Sequence, residues 1–178
     1  TDRRLRELAA TDPDLMRYDP EQGVIRFTSD LTFASGSDTV RESAKGALNR
    51  LASVLLESEA SGYDVMVVGH TDSQPISRSR DQHPTNRHLS SHRAISVSEQ
   101  LSRAGLAPSR VLVSGWGPYD PVVPNNPTGG TKANRRVEIF LMPSDAFRTG
   151  DEAHEGGGNA STNGGAEAGD SGNVPIVK

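Results

Sequence analysis

At 178 residues the chain has room for one ordinary domain and some spare length. It contains no cysteine, which excludes disulfides, thiolate metal sites and cysteine nucleophiles. The net charge of −4 belongs to residues 151–178; ahead of them acids and bases balance, so the basic surplus that phosphate-backbone binding requires is missing and nucleic acid is not an expected partner. In chain order, residues 1–20 open with a short charged helix that Pro13 ends, read as a linker or the end of a longer helix. "GVIRF" at 23–27 reads as a strand, with "DLTFASGS" as its continuation and a polar loop.

From Thr39 the apolar residues Val40, Ala44, Ala47, Leu48, Leu51 and Leu55 keep helical spacing, with Ser37, Asp38 or Thr39 as the cap. Tyr63–Val68 is the next strand, a β-branched run that ends abruptly in the polar Gly69-His70-Thr71-Asp72. A loop with two prolines spans 73–85, and a second helix covers 86–105, closed by Gly105. "SRVLVSGWG" and "NRRVEIFLM" are two further strands around a turn-rich segment. The order β-α-β-α-β-β predicts an α+β two-layer sandwich, two helices on a mixed four-stranded sheet. Residues 21–145 form the expected domain. Residues 146–178 form an expected disordered, acidic, glycine-rich tail, too poor in large apolar side chains to offset chain entropy.

On a helical wheel Leu89, Ala94, Val97 and Leu101 face the sheet, and Arg93 lies among them with Asn86 pointing almost the same way. An unpaired buried guanidinium is costly, so Arg93 must reach a rim or an anion. The strand that ends in Asp72 brings a carboxylate near the start of the same helix. Asp72 and Arg93 then either pair internally or face a shared ligand.

"FASGS" (33–37), "GHTD" (69–72), the series Asn86, Leu89, Ser90, Arg93, Ala94, then "GWG" (115–117) and "NRRVEI" (134–139) occur in this order over roughly residues 23–142. Together they resemble the OmpA-like peptidoglycan-binding domain. The long loop after "GHTDSQPI" and the "PVVPNNP" segment are most similar to its MotB type, the flagellar stator subunit. The resemblance implies a non-enzymatic periplasmic wall anchor whose partner is peptidoglycan, held through the diaminopimelate residue of the stem peptide. It implies that Asp72 accepts the ligand ammonium and Arg93 holds its carboxylate. Thr71, Asn86 and Arg135 would add hydrogen bonds (Arg135 in preference to Arg136), and Phe33 and Ser35 would line the pocket. No catalytic residue, cofactor or metal is expected. The alternative is a structural dimerisation module of a stator or envelope complex, and a homodimer would in either case add avidity on a repetitive wall.

No apolar run is long enough to span a bilayer, and the chain opens on Thr1; it is expected to be a processed or excised piece whose membrane anchor lies elsewhere. His88 and His92 have i, i+4 metal spacing, yet the wheel turns both toward solvent and no glutamate lies between them. Ser90 and Ser91 lack a nucleophile elbow. Trp116 reads as a core residue or pocket wall.

Overall fold

The computed structural model describes residues 1–146. The expected tail therefore lies almost wholly outside the described residues. The secondary structure is α1 (Asp2–Thr11), β1 (Met16–Asp19), β2 (Val24–Thr28), a single turn α2 (Ser29–Thr32), α3 (Glu42–Leu55), β3 (Tyr63–His70), α4 (Asn86–Arg103), β4 (Val111–Gly117) and β5 (Arg136–Pro143). They build an α+β fold with one mixed sheet in the order β1-β2-β5-β3-β4. Only β3 and β4, joined through α4, run parallel; the other neighbours are antiparallel.

The sheet has five strands where four were expected. The additional one, β1, comes from the first twenty residues, which are part of the core: Leu5, Leu8, Leu15 and Met16 are buried with the other core side chains. Its signal was the stretch Asp19-Pro20-Glu21-Gln22-Gly23. The Asp19 carboxylate accepts the backbone N–H groups of Glu21 and Gln22, and Gly23 takes φ +61°, so the chain reverses into β2. The apolar stripe of α3 is buried as its spacing requires. Its cap is Arg41 rather than Ser37, Asp38 or Thr39; the Ser37 hydroxyl accepts the Thr39 N–H instead.

Alternation along the strands decides which residues meet the helices. Ile25 and Phe27 of β2, Val65 and Val67 of β3, and Val137 and Ile139 of β5 share the core with α3 and α4. Trp116 belongs to the other set. It lies on the edge strand β4, where no further strand covers it, and is 48% exposed, so it is neither core nor pocket wall.

The start of α4 is pressed onto the ends of β3 and β4. A Cβ on Gly69 would fall 2.0 Å from the Ser90 carbonyl oxygen, and one on Gly115 2.1 Å from the Ser91 hydroxyl. Ser90 is itself buried, accepting the Gly117 N–H at 3.0 Å and donating to the Arg87 carbonyl, a structural tether. Because the obstacle at Gly69 is backbone, Gly69→Ala is expected to cost about 3 kcal/mol, the upper end of overpacking, read as a lower urea midpoint at unchanged slope.

Candidate functional site

At the end of β3 the pairing with β4 shifts between Gly69 and His70. The Thr71 N–H then donates to the Gly117 carbonyl, and the chain leaves the sheet. Such an irregularity re-aims the residues that follow it. Thr71 and Asp72 consequently face a cavity of about 630 Å³ bounded by the 33–37 loop, the 74–79 segment and the first turns of α4. Asp72, Arg93, Asn86, Thr71, Arg135, Phe33 and Ser35 all line it. Thr85 caps α4, its hydroxyl accepting the His88 N–H, which sets the helix so that Asn86, Leu89 and Arg93 point inward.

Asp72 and Arg93 are not paired with each other. The Asp72 carboxylate accepts Arg135 Nη1 at 2.6 Å and the Thr131 N–H at 2.9 Å through Oδ2, and the Gln74 N–H at 3.2 Å through Oδ1. Arg135 is at the same time bidentate to Asp30, Nε to Oδ1 at 2.8 Å and Nη2 to Oδ2 at 2.5 Å. One guanidinium is thus shared by two carboxylates. That sharing holds the Asp30 carboxyl below its usual range, Arg135 being the main cause, and pushes the Arg135 guanidinium up, chiefly through Asp30.

Arg93, 5% exposed, meets no carboxylate. Nε donates to the Ser37 carbonyl and Nη1 to the Ser29 hydroxyl, each at 2.9 Å; Nη2 reaches the Ala34 carbonyl at 3.4 Å, and the plane stacks over Phe33 at 5.0 Å. These neutral acceptors use three of five N–H donors. Burial without an adjacent anion lowers its pKa to about 10. Phe33 is therefore a platform for the guanidinium as well as a wall.

Two further polar groups are available. The Thr71 hydroxyl is buried without a hydrogen-bond partner. Asn86 donates to the Gln74 carbonyl at 2.8 Å, which secures the loop. Among the charged side chains that line the cavity, Asp30 and Asp72 share Arg135 and keep one net negative charge, while the buried Arg93 and the exposed Arg41 and Arg78 are positive.

Arg136 is directed elsewhere, to Asp120 and Glu138. Asn134, the first residue of "NRR", is fully buried and clamps the turn-rich segment: its Oδ1 accepts the Val122 and Val123 N–H groups, and its Nδ2 donates to the Val123 carbonyl and to Asn125. Sequence reasoning missed Asp30 and Thr131, whose contacts with Arg135 and Asp72 join segments distant in the chain, and gave Asn134 no role of its own.

Among the described residues, two clusters have the donor types of metal ligands, Asp38–His83–His92 and His70–Asp120–Glu138. The i, i+4 pair is not the relevant one, because His92 turns to His83 from the preceding loop.

The OmpA family model matches residues 32–135. The chain is 35% identical over 120 residues to the probable lipoprotein YiaD of Escherichia coli, covering 67% of this chain and 51% of that protein. The chain thus spans about half the length of such relatives. Among solved structures, a MotB-like protein from Desulfovibrio vulgaris superposes with a TM-score of 0.68 at 26% identity, covering 80% of this chain and 91% of that one. The cell wall anchor of the type VI secretion system (T6SS) of Pseudomonas aeruginosa gives 0.67 at 31%, covering 78% and 96%.

Proposed function

The chain belongs to the OmpA family, and from that premise we propose that it is a non-enzymatic periplasmic domain that anchors an envelope or flagellar-motor protein to peptidoglycan by gripping the diaminopimelate residue of the stem peptide. The observation that carries the reading is the division of charge in the cavity: a buried Arg93 with two N–H donors to spare and no carboxylate of its own, across from two carboxylates that share one arginine. A free amino-acid end is a zwitterion and needs that pairing of opposite signs. Its carboxylate would take the spare N–H groups of Arg93, and its ammonium would take oxygens of Asp72 and Asp30 with the Thr71 hydroxyl beside them. The solved cell wall anchor with the same fold supports this reading.

Retention on insoluble wall tests the proposal. Diaminopimelate-type wall is expected to bind about tenfold or more tightly than lysine-type wall, which lacks the extra carboxylate and leaves Arg93 desolvated and unpaired. Equal retention of both walls would remove the role given to Arg93. Raising the salt from about 0.05 to 0.5 M should weaken binding, since both contacts are ionic; a salt-independent isotherm would contradict charge recognition. The alternative reading, a dimerisation module, has support from the uncovered edge strand β4 with Val113 and Trp116 exposed. Retention of wild type against Asp72→Ala on insoluble wall separates the two, because a dimer is compatible with either: a loss in the variant supports the anchor, and weak, equal retention of both supports the dimerisation module.

A further inference from the structure

Apart from the residues that line the cavity, three polar side chains from three separate segments converge. His83 ends the turn of the 73–85 loop, His92 lies on α4 and Asp38 follows the polar loop before α3. His83 Nδ1 and His92 Nδ1 are 2.8 Å apart, and His83 Nε2 is 4.0 Å from Asp38 Oδ1. One donor atom from each residue lies within 4.8 Å of the other two.

A hydrogen bond between two neutral rings would account for the His83–His92 contact but leaves the rest unexplained. His83 is 1% exposed, and its Nε2 is buried with no hydrogen-bond partner. A buried polar ring atom without a partner is costly, and a cation bound by the cluster would explain why it is kept. The Asp38 side chain is 36% exposed, which gives an ion a way in.

We propose that Asp38, His83 and His92 form a binding site for a divalent transition-metal ion of the zinc class. Two imidazoles and one carboxylate suit zinc, nickel or copper, whereas calcium and magnesium prefer all-oxygen sites. An imidazole offers one nitrogen to an ion, here His83 Nε2; donors about 3.3 Å apart in a tetrahedral site with metal–nitrogen bonds of about 2.0–2.1 Å require Asp38 Oδ1, now at 4.0 Å, to close by about 0.7 Å and the His92 ring to turn from its contact with Nδ1. Three protein ligands leave the fourth position for water. His88 is not a ligand: its Nδ1 is engaged by the Thr85 hydroxyl at 2.9 Å and its side chain is exposed.

The other cluster makes a useful contrast. Around His70, the Glu138 carboxylate already pairs with Arg26 and Arg136, and Asp120 pairs with Arg136, so two fixed cations occupy the role a metal would take. At His83 and His92 no arginine is ion-paired into the cluster among the described residues.

The location gives the ion a structural consequence. Ser37, whose carbonyl accepts Arg93 Nε, precedes Asp38; His92 precedes Arg93; and the segment leading to His83 lines the cavity. A bound ion would tie together the three segments that frame the pocket. The site does not depend on wall binding for its existence or its test.

The untagged 178-residue chain is titrated with cobalt(II), read by visible absorption, and with zinc(II) in competition with a chromophoric chelator. One equivalent is expected, with a tetrahedral cobalt spectrum and a melting temperature that rises with zinc. His83→Gln, His92→Gln and Asp38→Asn should each weaken binding by at least about tenfold, the loss that even an outer-shell partner's removal causes. His88→Gln and His154→Gln should leave it unchanged. Should His83→Gln not fold, His92→Gln on the half-buried ring carries the same test. Absence of cobalt binding, full binding by His92→Gln, or binding that His88→Gln abolishes would each overturn the proposal. The last would identify a surface chelate on α4 instead.

Discussion

Arg93→Met is expected to lose retention on diaminopimelate-type wall by about 100-fold or more while the fold survives. The two N–H donors of Arg93 that no protein acceptor uses would make charge-assisted bonds to a ligand carboxylate, each worth about 1.5–3 kcal/mol. Losing both corresponds to two or more decades in affinity, at about 1.4 kcal/mol per decade. Stability should change little. Methionine keeps an apolar, polarisable contact on Phe33 and removes a charge that burial disfavours, as the lowered Arg93 pKa of about 10 indicates. Against this, the Ser37, Ala34 and Ser29 acceptors lose their donor, so some loosening of the 33–37 loop is expected. Arg93→Lys keeps the charge but not the planar fork and should fall between the two. Pull-down isotherms with circular dichroism as the folding control read all three. Arg93→Met protein retained as well as wild type would discard the site.

The two residues at the centre of that prediction were legible because each breaks a local pattern. Asp72 follows a β-branched strand that ends abruptly, and Arg93 falls on an otherwise apolar helical stripe. Periodicity places such residues near one another but carries no information on which charge touches which. The open question of an internal Asp72–Arg93 pair is answered by contacts far apart in the chain: Arg135, from the start of β5, takes both Asp72 and Asp30. Asp30 lies in one helical turn between a strand and a loop, with no repeat to mark it. The His83–His92 contact was hidden for the same reason, since a loop residue has no spacing rule and only the i, i+4 pair was visible. The missed β1 differs in kind. Asp19-Pro20 and Gly23 are ordinary turn chemistry, and Leu5 with Leu8 and Ala9 is a helical stripe, so both signals were present in residues read as a linker. Trp116 was misjudged because strand alternation only ranks the two faces, whereas edge position in the sheet decides which of them is covered.

Glu138→Gln is expected to destabilise the domain by about 3 kcal/mol at neutral pH and to flatten its acid limb. On the helix-free face of the sheet Glu138 is 4% exposed and contacts Arg26 Nε at 2.8 Å, Arg136 Nε at 3.1 Å and His70 Nε2 at 3.1 Å. Burial alone would raise its pKa, but His70, Arg136 and Arg26 outweigh burial and bring it down from 4.5 to about 2. A carboxylate whose folded pKa is depressed contributes stability that is fully present above the unfolded value. That stability is lost as the pH falls toward the folded one. The loss should therefore begin near pH 4.5 and be complete near pH 2, at about 1.4 kcal/mol per pH unit between them. The amide keeps the shape and one acceptor while leaving Arg26 and Arg136 short of their shared anion. Asp19 and Asp120 remain as partial partners, which keeps the cost below the extreme for a broken buried pair. Urea midpoints measured from pH 2 to 7 on both proteins check the sign and the window together. If the variant kept the wild-type acid slope, the acid-labile stability would have to come from another carboxylate, with Asp30 beside Arg135 the first to test, because it too is held below its usual range.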